Sequence, residues 1–174
     1  GGSGVELVIA RDAHHAIGRP KVTQRLDVPG QRGDGAVSEV AAATAVIAER
    51  ERETIFRLSK AAEYRDPETG GHILRMAHYS RLIAERLGLE PQEQQLILEA
   101  APMHDIGKVG TPDHILLKPG RLDAEEFTIM KRHAEIGHRI LRNSTSPILN
   151  AAAIVALSHH EKFDGSGYPQ GLVG

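Results

Sequence analysis

The sequence MHDIGK, from Met103 to Lys108, places an imidazole, a carboxylate and an amine close together in an otherwise apolar part of the chain. The preceding run from Leu96 to Ala101 is typical of a buried helix, where polar groups are costly to hide without partners. The adjacent His104 and Asp105 side chains can bind one cation or bridge two. Lys108, one helical turn after His104, suits an anionic substrate. The motif therefore indicates a site that binds metal ions with a phosphate beside them. The alternative is that its histidine is an ordinary hydrogen-bonded side chain.

Composition narrows the classes of protein to which the chain can belong. Its 174 residues are 40% hydrophobic, which is enough for one core, and residues 1–36 are too polar and glycine-rich to join that core. A net charge of -2 and an aromatic content of 3% argue against a nucleic acid polymer as partner. The absence of cysteine excludes disulfides, thiolate zinc sites and a cysteine nucleophile. No apolar run is long enough to span a bilayer, so we expect a cytoplasmic domain.

A long connector helix is predicted over residues 37–64, because strong helix formers continue there without glycine or proline. Its middle, from Glu49 to Glu53, is charged on every side and should project from the core. Either a solvated linker helix or a homodimer contact explains this pattern. Residues 1–36 have the composition of a flexible, disordered tail, and the apolar run Val5 to Ala10 is interpreted as the remnant of an upstream domain.

Two further helices are predicted before and at the MHDIGK motif. The first runs from His72 to Leu87, where Gly88 provides a C-terminal cap. The second opens at Pro91, a favoured first position, and continues into the motif.

Three more helices are predicted after the motif. Thr111 should cap a short helix, and the pair Asp123 and Glu126 forms a capping-box signal for the helix that carries His133. The last helix runs from Ile148 to Ser158. Since no segment alternates like a strand, the predicted fold class is all-α, an irregular helical bundle.

Further motifs flank MHDIGK in a fixed order. Upstream lies RDPETGGH, from Arg65 to His72, and downstream lie His133 and the segment HHEKFDGSGYP, from His159 to Pro169. This set resembles the HD-GYP family of HD-superfamily phosphohydrolases over residues 55–174. The resemblance implies a helical HD-type domain there.

The motifs contain seven potential metal ligands, and their mixture of imidazole and carboxylate without sulfur favours iron, manganese, zinc or nickel. The resemblance implies two or three divalent ions, iron or manganese, with the aspartate of MHDIGK bridging them. The seven potential ligands are Glu68, His72, His104, Asp105, His133, His159 and His160.

The resemblance also assigns substrate contacts. It implies that Lys108 contacts the substrate phosphate and that Asp105 and Lys108 are the catalytic pair. Gly167, Tyr168 and Pro169 form the signature loop, in which the Tyr168 ring is expected to stack on a guanine while the glycine allows close approach. A glycine-rich turn that only closes a helix is the alternative explanation of this loop.

The activity implied by the resemblance is metal-dependent hydrolysis of cyclic di-GMP by hydroxide attack on phosphorus in bacterial signalling. The linear dinucleotide pGpG is the expected product, and the sequence leaves open whether hydrolysis continues to GMP. An upstream sensory or receiver domain is common before such domains. Two alternatives stay open, namely another HD-superfamily nucleotide phosphohydrolase and a non-catalytic sensor or adaptor that binds cyclic di-GMP.

One departure from the family pattern concerns the C-terminus. Sites of this superfamily use a further aspartate beyond the signature loop, and no counterpart follows Pro169. We therefore expect a C-terminally incomplete HD-GYP domain that is weakly active or inactive by itself.

Overall fold

A computed structural model describes residues 34–65 and 71–174 of the chain, and these residues form an all-α fold. Six α-helices occur in the described residues: α1 (Asp34–Glu63), α2 (His72–Arg86), α3 (Pro91–Ala100), α4 (Asp113–Leu116), α5 (Ala124–Leu141) and α6 (Pro147–Ser158). Two 3-10 turns, Ala101–Met103 and Ile106–Gly110, lie between α3 and α4. The predicted fold class is confirmed. The tail was predicted over residues 1–36, but residues 34–36 belong to α1, and residues 1–33 lie outside the described residues.

The long helix α1 has an exposed first part and a docked end. Val40 and Ile47 keep 67% and 66% of their surface exposed, whereas Ile55, Ser59 and Ala62 are buried. These three residues recur at intervals of four and three, so they share one helical face. The Ser59 hydroxyl donates to the carbonyl of Ile55. The predicted long helix is therefore present as α1, and its C-terminal two turns pack on the domain, while its role as a connector stays a prediction.

Local signals set most helix ends as predicted. Gly88 follows α2 with a φ of 77°, a left-handed conformation that favours glycine. Asp123 caps α5, since its Oδ1 accepts from the amides of Glu125 and Glu126, and the Glu126 carboxylate accepts from the amide of Asp123. Ser146 caps α6 by accepting from the Leu149 amide. The capping-box signal for α5 is thus confirmed.

The predicted cap at Thr111 is wrong. Helix α4 begins at Asp113, and its N-cap is Pro112, which has an extended ψ of 142° and makes no side-chain capping bond. Because the backbone of Pro112 is itself extended, the first helical residue is Asp113, one position later than a cap at Thr111 requires. The Thr111 hydroxyl is instead buried.

The predicted continuation of the Pro91 helix into MHDIGK is also wrong. Helix α3 ends at Ala100, and the chain continues through the two 3-10 turns with Asp105 between them at a φ of -100°. Pro102 explains the break, because its ring cannot donate a backbone hydrogen bond and clashes with the carbonyl four residues earlier. His104 and Lys108 therefore do not share one continuous helix.

Small residues bring the site-bearing elements together. Helix α6 buries Ala152 and Ala156 in the main core, and α5 packs against both α6 and the turn Ile106–Gly110. A Cβ added to Gly137 of α5 would lie 3.0 Å from the Ala156 Cβ, so the helices touch almost backbone to backbone there. Across the described residues, no helix has the length and apolar character required to cross a membrane.

Candidate metal centre

Four predicted ligands from three elements meet at one end of the α5–α6 pair. Asp105 comes from the link between the 3-10 turns, His133 from the middle of α5, and His159 and His160 from the C-terminal end of α6. One ligand atom of each residue lies within 4.8 Å of the others. His133 and His159 are buried, and the Asp105 side chain is 12% exposed.

Three histidines are oriented by hydrogen bonds to carbonyls of their own turns. Nδ1 of His104 bonds the carbonyl of Ala101 at 3.1 Å, and Nδ1 of His159 bonds the carbonyl of Ala156 at the same distance. Nδ1 of His133 bonds the carbonyl of Met130 at 2.7 Å. A carbonyl oxygen only accepts, so each Nδ1 carries a proton. In the neutral rings each Nε2 is then a lone pair that points into the cluster.

The inward nitrogens meet each other and the Asp105 carboxylate. Nε2 of His133 lies 3.1 Å from Nε2 of His159. The same two nitrogens lie 3.3 and 3.4 Å from Oδ1 of Asp105, which is buried without a well-formed hydrogen bond. Lone pairs and a carboxylate oxygen facing one another in a buried space repel unless a cation lies between them.

The protonation states at the cluster match those of metal ligands. Burial opposes ionisation of Asp105, but the close approach of the His104, His133 and His159 imidazoles outweighs it and holds the carboxyl pKa far below its usual range. Burial also lowers the pKa of His159, and burial with the neighbouring imidazoles lowers the pKa of His160 to about 3. An ionised carboxylate beside neutral imidazoles is the state that binds a divalent cation.

The donor set therefore fits a metal ion. Imidazole and carboxylate ligands suit zinc, iron, manganese or nickel, and the Nδ1 bonds to carbonyls supply the outer contacts that orient metal-binding histidines. Asp105, His133, His159 and His160 are the four residues positioned to hold one ion.

The remaining predicted ligands lie further out. Nε2 of His104 is 3.0 Å from Oδ2 of Asp105, and the His104 ring meets the His159 ring with centroids 5.2 Å apart. Burial opposes protonation of His104, but the hydrogen bond and charge of Asp105 prevail and raise its pKa. The His72 ring lies 6.3 Å from the His104 ring. Glu68 lies outside the described residues.

Lys108 reaches the same carboxylate from the next turn. Its Nζ lies 2.9 Å from Oδ2 of Asp105, and its side chain is 17% exposed. Lys108 is thus a cation at the edge of the candidate metal-binding cluster. A phosphate at this edge could contact both the Lys108 ammonium and a metal ion held by the cluster.

The signature loop covers one side of the cluster. The Tyr168 ring stacks on the His160 ring, with centroids 4.5 Å apart and planes inclined by 24°. A Cβ on Gly167 would lie 2.6 Å from the carbonyl of His160, so only glycine fits this approach. Burial and the Asp105 charge raise the pKa of Tyr168 to about 12, so the phenol stays protonated and can donate. Pro169 is exposed.

Glu161 is a residue to which the sequence analysis gave no role. Its fully buried carboxylate accepts from the amide of Gln170 at 2.6 Å and from the amide of Leu172 at 2.9 Å. It therefore ties the end of the signature loop to the His159–His160 turn. The sequence signal that could have identified Glu161 was its position directly after two histidines that were predicted as ligands.

A second overlooked group extends the row of rings outward. The Phe127 ring meets the Tyr168 ring edge-on at 6.1 Å, and Lys131 Nζ lies 5.4 Å from the centre of the Phe127 ring and 5.8 Å from that of Tyr168. The i, i+4 spacing of Phe127 and Lys131 on a predicted helix was the available signal.

Comparison with known proteins agrees with this geometry. The HD domain family matches residues 69–173. The chain is 51% identical over 128 residues to the cyclic di-GMP phosphodiesterase response regulator RpfG of Xanthomonas campestris pv. campestris, covering 74% of this chain and 34% of that protein. It is 54% identical over 120 residues to a cyclic di-GMP phosphodiesterase of Thermotoga maritima, covering 69% of this chain and 33% of that protein.

A third relative differs in its named substrate. The 3'3'-cGAMP-specific phosphodiesterase 2 of Vibrio cholerae is 46% identical over 126 residues, covering 72% of this chain and 24% of that protein. The chain spans about a third of the length of the first two relatives. The resemblance drawn from the motifs is confirmed, and the chain belongs to the HD domain family.

Proposed function

We propose that this domain is a metal-dependent phosphodiesterase that hydrolyses cyclic di-GMP to pGpG and onward to GMP. One observation carries the proposal: the Nε2 atoms of His133 and His159 converge on each other and on Oδ1 of Asp105 in a buried space. Such an arrangement needs a cation, and cations that hold a phosphoryl oxygen catalyse displacement at phosphorus. The names of the relatives supply the substrate class.

We further propose two or three divalent ions, iron or manganese, as cofactors. The four converging residues Asp105, His133, His159 and His160 would hold the first ion, and the rings of His104 and His72 lie next to them. Glu68 lies outside the described residues, so its part in the donor set rests on the sequence motif alone. When bound, such ions supply Lewis acidity and activate water. Asp105 has two carboxylate oxygens that face different partners, His104 and Lys108 on Oδ2 and His133 and His159 on Oδ1, so it can bridge two ions.

The protein's own groups would orient and stabilise the substrate. Lys108 can pair with a phosphate oxygen, because its Nζ lies at the edge of the cluster on the carboxylate that would also bind metal. Its charge would then stabilise the negative charge that builds on the phosphoryl oxygens in the transition state. Tyr168, protonated and half-buried beside His160, can donate a hydrogen bond into the same space.

The test begins with Asp105→Ala and His159→Ala. Each should lose bound metal after dialysis and lose hydrolysis of cyclic di-GMP, while circular dichroism still reports a helical fold. His114→Ala is the matched control, since His114 is an exposed histidine on α4. Full metal content and turnover in Asp105→Ala would refute the metal centre. Metal binding and nucleotide binding without any turnover, both in this chain and in a longer version that extends beyond residue 174, would instead favour the sensor or adaptor alternative.

A second candidate substrate is 3'3'-cGAMP. The observation in its favour is the 46% identity to a phosphodiesterase whose name specifies that dinucleotide. Initial rates measured on cyclic di-GMP and 3'3'-cGAMP with one preparation will distinguish the two, and faster cleavage of a simple nucleotide would favour a general phosphohydrolase.

The exposed part of α1 supports a homodimer proposal. Val37, Val40, Thr44 and Ile47 are spaced three, four and three residues apart, which is the heptad spacing of a coiled coil, and all are exposed in one chain. Val40→Glu or Ile47→Glu should convert a dimer into a monomer by sedimentation. Val46→Glu is the control, because Val46 is 50% exposed but lies off that face. A wild-type monomer would leave α1 as a connector from an upstream sensory or receiver domain.

A further inference from the structure

Phe127, Lys131 and Tyr168 form a small surface that we name the aromatic-lysine patch. Phe127 and Lys131 are four residues apart on α5, and Tyr168 joins them from the signature loop. Lys131 Nζ lies within 6 Å of both ring centres, at 5.4 and 5.8 Å, which is cation–π distance. The patch therefore combines two rings and one positive charge.

The patch is continuous with the candidate metal centre. His160 stacks on Tyr168 at 4.5 Å, and Tyr168 meets Phe127 at 6.1 Å, so the rings form one row that leads out from the metal ligands. Phe127 is the outer end of this row and keeps 46% of its surface exposed. The chain has only six Phe and Tyr residues, so two of them beside the site is a marked local enrichment.

Lys131 differs from Lys108 and Lys118 in its partner. Lys108 pairs with Asp105, and Lys118 pairs with Glu126. Within the residues 34–65 and 71–174, no carboxylate lies at salt-bridge distance from Lys131, whose ammonium faces the two rings. A phosphate arriving beside the rings would meet a cation that no described carboxylate neutralises.

A cyclic dinucleotide carries the groups that the aromatic-lysine patch can bind. It carries two phosphodiesters and two purines, and a metal centre with Lys108 accounts for only the phosphodiester that is cleaved. Aromatic rings bind bases by stacking, and an ammonium pairs with a phosphate oxygen. We propose that the aromatic-lysine patch binds the second half of the dinucleotide: Phe127 contacts its purine, and Lys131 contacts the phosphodiester that is not cleaved. This inference rests on the proposed function and adds the residues that select a dinucleotide.

The test compares binding and turnover on two substrates. Lys131→Met and Phe127→Ala should each weaken equilibrium binding of cyclic di-GMP by about tenfold, the effect expected from one lost stacking or ionic contact. Both should keep wild-type hydrolysis of bis(p-nitrophenyl) phosphate, which has neither a purine nor a second phosphodiester. Lys131→Arg should retain affinity, and the affinity of Lys131→Met should depend less on salt than that of the wild type.

Matched controls separate the patch from general effects. Arg132→Met removes the neighbouring exposed charge on α5, and Phe163→Ala removes a ring that is 52% exposed outside the patch. Both should bind cyclic di-GMP like the wild type. Unchanged affinity in Lys131→Met and Phe127→Ala would overturn the patch assignment and leave the proposed activity intact, and so would equal losses on both substrates. A wild-type chain that cleaves the small diester but does not bind cyclic di-GMP would overturn both proposals.

Discussion

Gly107 lies directly against the backbone carbonyl of His133: a Cβ on Gly107 would be 1.9 Å from that oxygen. The same Cβ would lie 2.5 Å from the amide nitrogen of Gly137. Both obstacles are backbone atoms of α5, so no side-chain rotation relieves the clash. The contact fixes the distance between Asp105, two residues before Gly107, and the His133 imidazole. The absence of a side chain at Gly107 thus holds two predicted metal ligands, Asp105 and His133, in place.

Gly107→Ala should therefore damage both stability and metal binding. Overpacking of this kind costs about 1–3 kcal/mol or more, and separation of α5 from the turn would move Asp105 away from His133. Chemical denaturation and metal titration measure the two effects. Gly110→Ala is the control, because its Cβ would meet only the Ile136 side chain, at 3.0 Å, which can move. Equal effects of the two substitutions would contradict this explanation.

Glu161→Gln should loosen the signature loop without removing a metal ligand. The buried carboxylate accepts from the amides of Gln170 and Leu172, and an amide side chain can accept from only one of them. The unsatisfied amide costs about 1–3 kcal/mol. Hydrogen exchange at Gln170 or Leu172 should become faster, while metal content stays near the wild-type value. Glu135→Gln, on the exposed surface of α5, is the control variant. Unchanged hydrogen exchange in Glu161→Gln would show that the Glu161 carboxylate does not hold the end of the signature loop.

Arg65→Ala should affect the domain more than loss of an ordinary surface arginine. Arg65 donates to the carbonyls of Val109 and Thr111 at 2.8 and 3.3 Å and also pairs with Asp113, so it joins the end of α1 to the MHDIGK segment. Hydrogen bonds from a charged donor contribute roughly 1.5–3 kcal/mol each before screening, and Arg65 is 38% exposed, so we expect a total loss of about 1–2 kcal/mol in denaturation.

Arg57→Ala is the matched control on the same helix. Its ion pair with Glu53 is exposed, and such pairs contribute about 0–1 kcal/mol. Arg65→Ala should also speed hydrogen exchange at the amide of Thr111, whereas Arg57→Ala should not. If both variants unfold at the same denaturant concentration, the contacts of Arg65 contribute no more than a surface pair.

Sequence patterns predicted the helices where the signal was local. The capping box at Asp123 and Glu126, the proline at Pro91 and the glycine at Gly88 each act within a few residues, and the structure follows them. The two errors involve prolines inside apolar runs. Pro102 and Pro112 each shifted a helix boundary, because a proline restricts its neighbours as well as itself.

In the candidate site, too, the sequence predicted some residues and missed others. The order of the motifs was enough to select Asp105, His133, His159 and His160, which the structure brings together. The role of Glu161 and the patch of Phe127 and Lys131 depend on how a loop folds back over α5. The i, i+4 spacing places Phe127 beside Lys131, but no sequence pattern shows that the signature loop folds back onto them or onto Glu161, so only the tertiary structure reveals these contacts.

The capping carboxylate of α5 should make part of the stability depend on pH. The amide of Glu126, followed by that of Glu125, lowers the pKa of Asp123 below its usual value, so the ionised form is favoured in the folded chain. A lowered carboxyl pKa contributes stability above the unfolded pKa, near 4, and this contribution is lost as the pH falls through the folded pKa.

Asp123→Asn keeps a capping oxygen but cannot titrate. The wild type should therefore unfold at a higher denaturant concentration than Asp123→Asn at neutral pH, and the difference should shrink as the pH is lowered below about 4. Asp123→Ala, which removes the cap altogether, should be less stable than Asp123→Asn at every pH. A difference between wild type and Asp123→Asn that does not change with pH would show that the charge of Asp123 has no part in holding the helix that carries His133.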